Sequence, residues 1–112
     1  MCWGIETGDG WYDILDHLCR KLTVIQQELG VVIRADQVKE KFGTLRFYFT
    51  AETSHELWTD IIEDVVDKAE AQSATICEEC GSWGRLGHKD RIWLGTRCDK
   101  CAEKEGYTPI RE

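Results

Sequence analysis

Four cysteines carry the clearest chemistry in this chain of 112 residues. Cys77-Glu78-Glu79-Cys80 and Cys98-Asp99-Lys100-Cys101 are two Cys-x-x-Cys pairs with seventeen residues between them. A Cys-x-x-Cys at a tight turn brings two thiolates close enough to share a metal, and two such turns complete a tetrahedron. The spacing is that of structural zinc sites. Four thiolates fill the coordination sphere and leave no position for a reacting water, so the expected Zn²⁺ is structural and not catalytic. Other readings fit less well. A redox dithiol calls for one pair at a helix start after a strand, whereas Gly-rich turns are expected here. Disulfides belong to oxidising compartments. An iron–sulfur cluster also takes four thiolates, but the paired spacing favours zinc. His88 could replace one cysteine, although four thiolates already suffice.

No catalytic constellation accompanies these cysteines. There is no Ser or Cys nucleophile beside an evident base, no Gly-rich phosphate motif opening a helix and no His-Glu-x-x-His. The chain is therefore expected to bind and not to be an enzyme. Two groups of residues are candidate contacts. Trp83, Arg85, Lys89, Arg91, Trp93 and Arg97 lie in the segment flanked by the cysteines. The expectation is that Trp83 and Trp93 pack over the cysteine turns. The alternative is an exposed aromatic and basic platform of the kind that holds single-stranded nucleic acid or a nucleotide. Lys41, Phe42, Arg46 and Tyr48 flank a predicted hairpin turn. They either protect a sheet edge or form a contact with an aromatic anchor and a basic rim.

These residues must be positioned by a small number of elements. Trp11, Ile14, Leu15, Leu18, Cys19, Leu22, Ile25 and Leu29 recur at helical spacing, so a helix is expected over 11–29. Asp9 or Asp13 would cap its start and Gly30 its end. A first strand spans Val31–Ile33 and Asp36–Lys39, with a bulge where the apolar parity switches. A second strand, Leu45–Phe49, follows the Gly43-containing loop. Thr53-Ser54-His55-Glu56 reads as a capping box opening a second helix to about Ser73. Its apolar stripe is Leu57, Trp58, Ile61, Ile62, Val65, Val66 and Ala69; the opposite face is acidic. Trp11 and Trp58 are expected in the core, and Cys19 as a small buried hydrophobe. Beyond residue 76 only Ile92-Trp93-Leu94 is strand-like. The predicted fold is α+β: helix, β-hairpin and helix over residues 1–76, then a zinc-ribbon-like segment over 77–112, packed as one unit.

Charge narrows the partners. The chain carries a net charge of −7, all of it within residues 1–76, which hold 14 acidic and 7 basic side chains. Residues 77–112 hold 7 of each. An acidic body does not suit a polyanion, which favours clustered Lys and Arg. It suits a basic protein surface. No run approaches the ~18 apolar residues of a membrane span. The start, Met1 to Glu6, shows no basic region and no apolar run, so a cytoplasmic setting with reduced thiols is expected. Trp3 and the other unplaced aromatics could equally serve a homodimer contact.

Three segments carry a resemblance. Gly8-Asp9-Gly10-Trp11-Tyr12-Asp13-Ile14-Leu15, Gln37-Val38-Lys39-Glu40-Lys41-Phe42-Gly43-Thr44-Leu45-Arg46-Phe47-Tyr48, and Ala69-Glu70-Ala71-Gln72-Ser73 leading into the first Cys-x-x-Cys resemble a family of small uncharacterised proteins in bacteria and their phages. The Lys-Phe-Gly-x-Leu-Arg-Phe-Tyr segment is the most specific part. The resemblance implies a setting and not a mechanism: small acidic phage proteins often interfere with host defence or host enzymes. The expected function is a zinc-stabilised protein-binding module, in that setting a phage-encoded modulator of a host protein in the host cytoplasm. Nucleic-acid or nucleotide binding through the C-terminal segment is the alternative.

Overall fold

The computed structural model describes residues 5–53 and 55–110; Cys2, Trp3 and Ser54 lie outside the described residues. The fold is α+β. In order the elements are β1 (Ile5–Glu6), a 3-10 turn (Asp9–Trp11), α1 (Tyr12–Leu29), β2 (Val32–Lys41), β3 (Thr44–Glu52), α2 (Glu56–Ser73), β4 (Arg85–Lys89), β5 (Trp93–Arg97), α3 (Asp99–Glu105) and β6 (Thr108–Pro109). One sheet has the order β1-β2-β3, with β1 parallel to β2; the other, β5-β4-β6, is antiparallel.

The two long helices cover one face of the β2–β3 hairpin. Ile14, Leu15, Leu18 and Leu22 of α1 and Ile62, Val66 and Ala69 of α2 meet Ile33, Val38, Leu45 and Phe47 of the strands. Ile33 and Val38 are an odd number apart, so a regular strand would point them to opposite faces. The register shifts between Ala35 and Gln37, and the extra residue there brings both side chains inward. Trp11 sits in the 3-10 turn ahead of α1, wholly buried, with its indole N–H donated to the Ile76 carbonyl at 2.8 Å.

Helix ends follow the sequence at one position and depart from it at two. Gly30 caps α1 in the left-handed conformation, φ 66°, its amide bonded to the Gln26 carbonyl. Neither Asp9 nor Asp13 caps the start of α1, and no side chain caps α2. The Thr53 hydroxyl accepts from the His55 amide, and Glu56 is already the first helical residue. A local hydroxyl turn has replaced the expected capping box, the usual competition between such turns and helix caps.

β3 is an edge strand of its sheet, and α2 covers part of that edge. The Ser73 hydroxyl accepts from the Leu45 amide at 2.8 Å, and a Glu70 carboxylate oxygen accepts from the Phe47 amide at 2.8 Å. Ser73 has no exposed surface. Ser73→Ala should therefore strand a buried N–H and cost about 1–3 kcal/mol. The midpoint of urea unfolding should fall at an unchanged slope.

The start of α1, the end of α2 and the β2–β3 turn converge at one end of this body, and the C-terminal segment docks there. The Gly10 amide donates to the Glu78 carbonyl at 2.6 Å, the Gly84 amide to the Thr75 carbonyl at 2.8 Å and the Thr96 hydroxyl to the Gly43 carbonyl at 2.6 Å. A Cβ on Gly10 would lie 2.0 Å from the Cys77 carbonyl oxygen, so only glycine permits the approach. The molecule is elongated as a result, 47 × 23 × 21 Å. Its radius of gyration is 15.4 Å, against about 13 Å for a compact domain of this length. Elements β4, α3, β6 and β1 go beyond the sequence expectation. Arg85-Leu86-Gly87-His88-Lys89 lacks the β-branched and aromatic residues that mark a strand, and its pairing with β5 and β6 defines it instead.

Candidate metal centre

The sulfur atoms of Cys77, Cys80, Cys98 and Cys101 all lie within 4.8 Å of one another. A tetrahedral ion with bonds near 2.3 Å needs sulfurs about 3.8 Å apart, so the cluster is close to ligand geometry. Cys80 and Cys98 are 3.5 Å apart, far beyond the ~2.05 Å of a disulfide, and all four are free thiols. The residues present thus fit a divalent metal.

The two pairs are built differently. Cys77 to Gly81 is a turn closed by the Gly81 amide on the Cys77 carbonyl, with Gly81 at φ 83° and the Cys77 amide bonded to the Ser82 carbonyl. Here the expected tight turn is present. The second pair corrects the expectation: Cys98 is the N-cap of α3, directly after β5, and its sulfur accepts from the Cys101 amide at 3.4 Å. That is the placement a redox dithiol would need, yet these sulfurs face the first pair and complete one four-thiol cluster.

Electrostatics in the cluster favour a cation. Hydrogen bonds from the Ser82 hydroxyl and amide, together with the Cys98 thiol, pull Cys80 down to about 6. The Cys98 hydrogen bond, burial and the other thiols push Cys101 up to about 12. Hydrogen bonding from Ser82 and among the thiols thus favours a thiolate at Cys80 and a thiol at Cys101. A bound divalent ion would deprotonate its ligands outright. Cys77 is wholly buried, whereas Cys80 is exposed. His88 belongs to β4 and is not part of the cluster.

Beside the cluster lies a buried ion-pair hub that the sequence reading missed. Arg97 was expected as an exposed ligand contact, but it is only 8% exposed. Its guanidinium meets Glu78 at 3.3 Å, Glu105 at 3.1 Å and Glu79 at 3.8 Å, and lies 4.8 Å from the centre of the Tyr107 ring. Burial pushes the Glu78 carboxyl above its usual range, against the opposing pull of the Gly8 amide and Arg97. The only signal in the sequence was the pair of glutamates inside the first Cys-x-x-Cys.

The remaining candidates are scattered. Trp83 and Trp93 do not pack over the cysteine turns: they are 81% and 63% exposed. Trp83 lies ahead of β4, bridged to Ile76, and Trp93 opens β5 at the hairpin tip. Trp93 pairs with Lys89 across the strands, and Arg91 is in the turn between them. Arg85 is bound to Asp99 at 2.9 Å, next to Trp83. Lys41, Phe42, Arg46 and Tyr48 line a groove of about 410 Å³ between β3 and α2, faced by Glu63, Asp67 and Glu70. No helix among the described residues is long and apolar enough to cross a membrane. No protein-family model, curated protein or solved structure matches the chain.

Proposed function

We propose that the chain is a small protein-binding module whose zinc-ribbon-like C-terminal segment is closed by one structural zinc on Cys77, Cys80, Cys98 and Cys101. The observation that carries the binding role is the hairpin tip. It exposes Ile92 and Trp93 beside Asp90 and Arg91, two non-glycine residues in the left-handed conformation, φ 55° and 60°. A turn selected for stability alone would use Asn-Gly there, and residues held in that region cost about 1–3 kcal/mol each. Exposed aromatics on a metal-stapled, strained tip are what a contact surface requires.

A protein suits this tip better than a nucleic acid does. Of the six candidate contacts, Arg97 and Arg85 are already engaged by carboxylates. Trp83 lies ahead of β4 and Trp93 at the far end of the hairpin, so the length of β4 separates them and they form no continuous stacking platform. The whole chain also carries a charge of −7. Modulation of a host protein, the setting implied by the sequence resemblance, is the biological form of this reading.

The test is affinity capture from a host lysate with wild type and Trp93→Ala, both checked for zinc content and melting. The expected result is one protein retained by wild type and reduced at least about tenfold by the substitution, the loss of a buried aromatic anchor. Capture of single-stranded nucleic acid instead, with affinity falling steeply as salt rises, would overturn the reading.

A further inference from the structure

The structure assigns a second contact surface, separate from the hairpin tip: the seam between α1 and α2 is the interface of a two-fold dimer, its occupant a second copy of this chain. The two helices run antiparallel. Gln72 and Ile76 lie beside Ile14 and His17, while Val65 lies beside Lys21, Val24 and Ile25. Their inner sides cover the hairpin. Their outer sides leave an apolar groove of about 560 Å³. Val24 is 54% exposed at its centre, and Leu57, Ile61 and Val65 follow one another at four-residue steps along α2, with Leu57 and Ile61 exposed. Residues four apart share a helix face, so these form one stripe beside Val24.

Charge decides what covers the stripe. Arg20 and Lys21 of α1 line one end of the groove, and Lys68 lies three residues beyond Val65 along α2. Acidic groups lie toward the other end, Glu28 of α1 and Asp60 of α2. Arg20 and Lys68 are paired within their own helices, to Asp16 and Asp64. Lys21, Glu28 and Asp60 form no ion pair among the described residues. A two-fold axis through Val24 and Ile61 buries the stripe against itself and lays each basic end on the acidic end of the other copy. An isologous interface must be self-complementary in this way.

From His17 to Glu28 the seam spans about 16 Å of helix, a patch shorter than those of tight, permanent dimers. Dimerisation is therefore expected in the micromolar range, and sedimentation equilibrium of the zinc-loaded full chain up to about 500 μM reads it directly. Wild type should reach the dimer mass. Val24→Glu, at a 54% exposed position, should hold it at the monomer mass with unchanged zinc content and melting temperature, and Ile61→Glu should do the same at some cost in melting temperature, because Ile61 is only 37% exposed. Lys21→Glu should weaken dimerisation at least about tenfold at low salt, and the swap Lys21→Glu with Glu28→Lys should restore it. A zero-length carbodiimide cross-link should join Lys21 of one copy to Glu28 or Asp60 of the other. Wild type that stays monomeric at the highest concentration overturns the inference. So does a dimer that survives both glutamate variants. Trp93→Ala should leave the dimer intact, which keeps this result distinct from the fate of the hairpin-tip reading.

Discussion

Stripping zinc with a chelator is expected to loosen the body of the molecule as well as the C-terminal segment. Structural zinc in small tetrathiolate or mixed sites contributes an apparent binding free energy of about 10–16 kcal/mol, which is also folding free energy. A domain of this size has about 5–15 kcal/mol of net stability, so the loss is comparable to the stability of the whole chain. The contacts show where it goes. The backbone around the wholly buried Cys77 holds the body directly: the Glu78 carbonyl accepts the Gly10 amide, and the Ile76 carbonyl accepts the Trp11 indole. Trp11 in turn is part of the core under α1. Elemental analysis should find about one zinc per chain. After chelation, amide exchange at the start of α1 should lose protection together with β4 and β5. Cys77→Ser should do the same without a chelator. Protection of α1 that is unchanged in a metal-free sample would show that the two parts are energetically independent.

What could be read from the sequence divides along that same junction. The helices and the β2–β3 hairpin are held by apolar burial, and burial leaves a period in the sequence. Leu18 and Leu22 or Leu45 and Phe47 announce their faces, and the switch between Ile33 and Val38 even announces the bulge. Past residue 76 the forces are charge pairing, close backbone approach and the proposed metal ligation, none of which has a period. Arg97 has the composition of a surface contact, yet three carboxylates and a tyrosine ring bury it. Trp83 and Trp93 have the composition of core residues, yet they are exposed. The cysteine ligands were legible because ligation fixes residue type and spacing together. Their helix was not, because α3 is seven residues long and starts from a cysteine cap. Two of the segments singled out in the sequence, around Gly10 and Phe42-Gly43, lie where the body meets the C-terminal segment. The Gly10 amide reaches Glu78 there, and Gly43 lies against Gly95 and accepts from Thr96.

Arg97→Met should be the most damaging single substitution outside the cysteines and the core. Its guanidinium is the common partner of Glu78, Glu79 and Glu105, and Glu78 is itself only 8% exposed. Methionine keeps much of the stem packing near Tyr107 but removes the charge. The Glu78 carboxylate then keeps the Gly8 amide at 2.9 Å as its one remaining close donor. Breaking a buried pair by removing one partner costs about 3–5 kcal/mol, most of it the desolvation of the charge left behind. Two features make this site harsher than an ordinary surface pair, where exposed bridges contribute at most about 1 kcal/mol. The partner left behind is buried, and it is bonded through its backbone to both Gly10 and Thr96. A double-mutant cycle separates these contributions. Glu78→Gln with Arg97→Met should recover a substantial part of the loss, because no uncompensated charge remains, whereas Glu105→Gln with Arg97→Met should recover little, since Glu105 is more exposed. Arg85→Met, at the exposed pair with Asp99, is the control and should change the unfolding midpoint by little. If Arg97→Met melts like wild type, the guanidinium is not what holds the segment together.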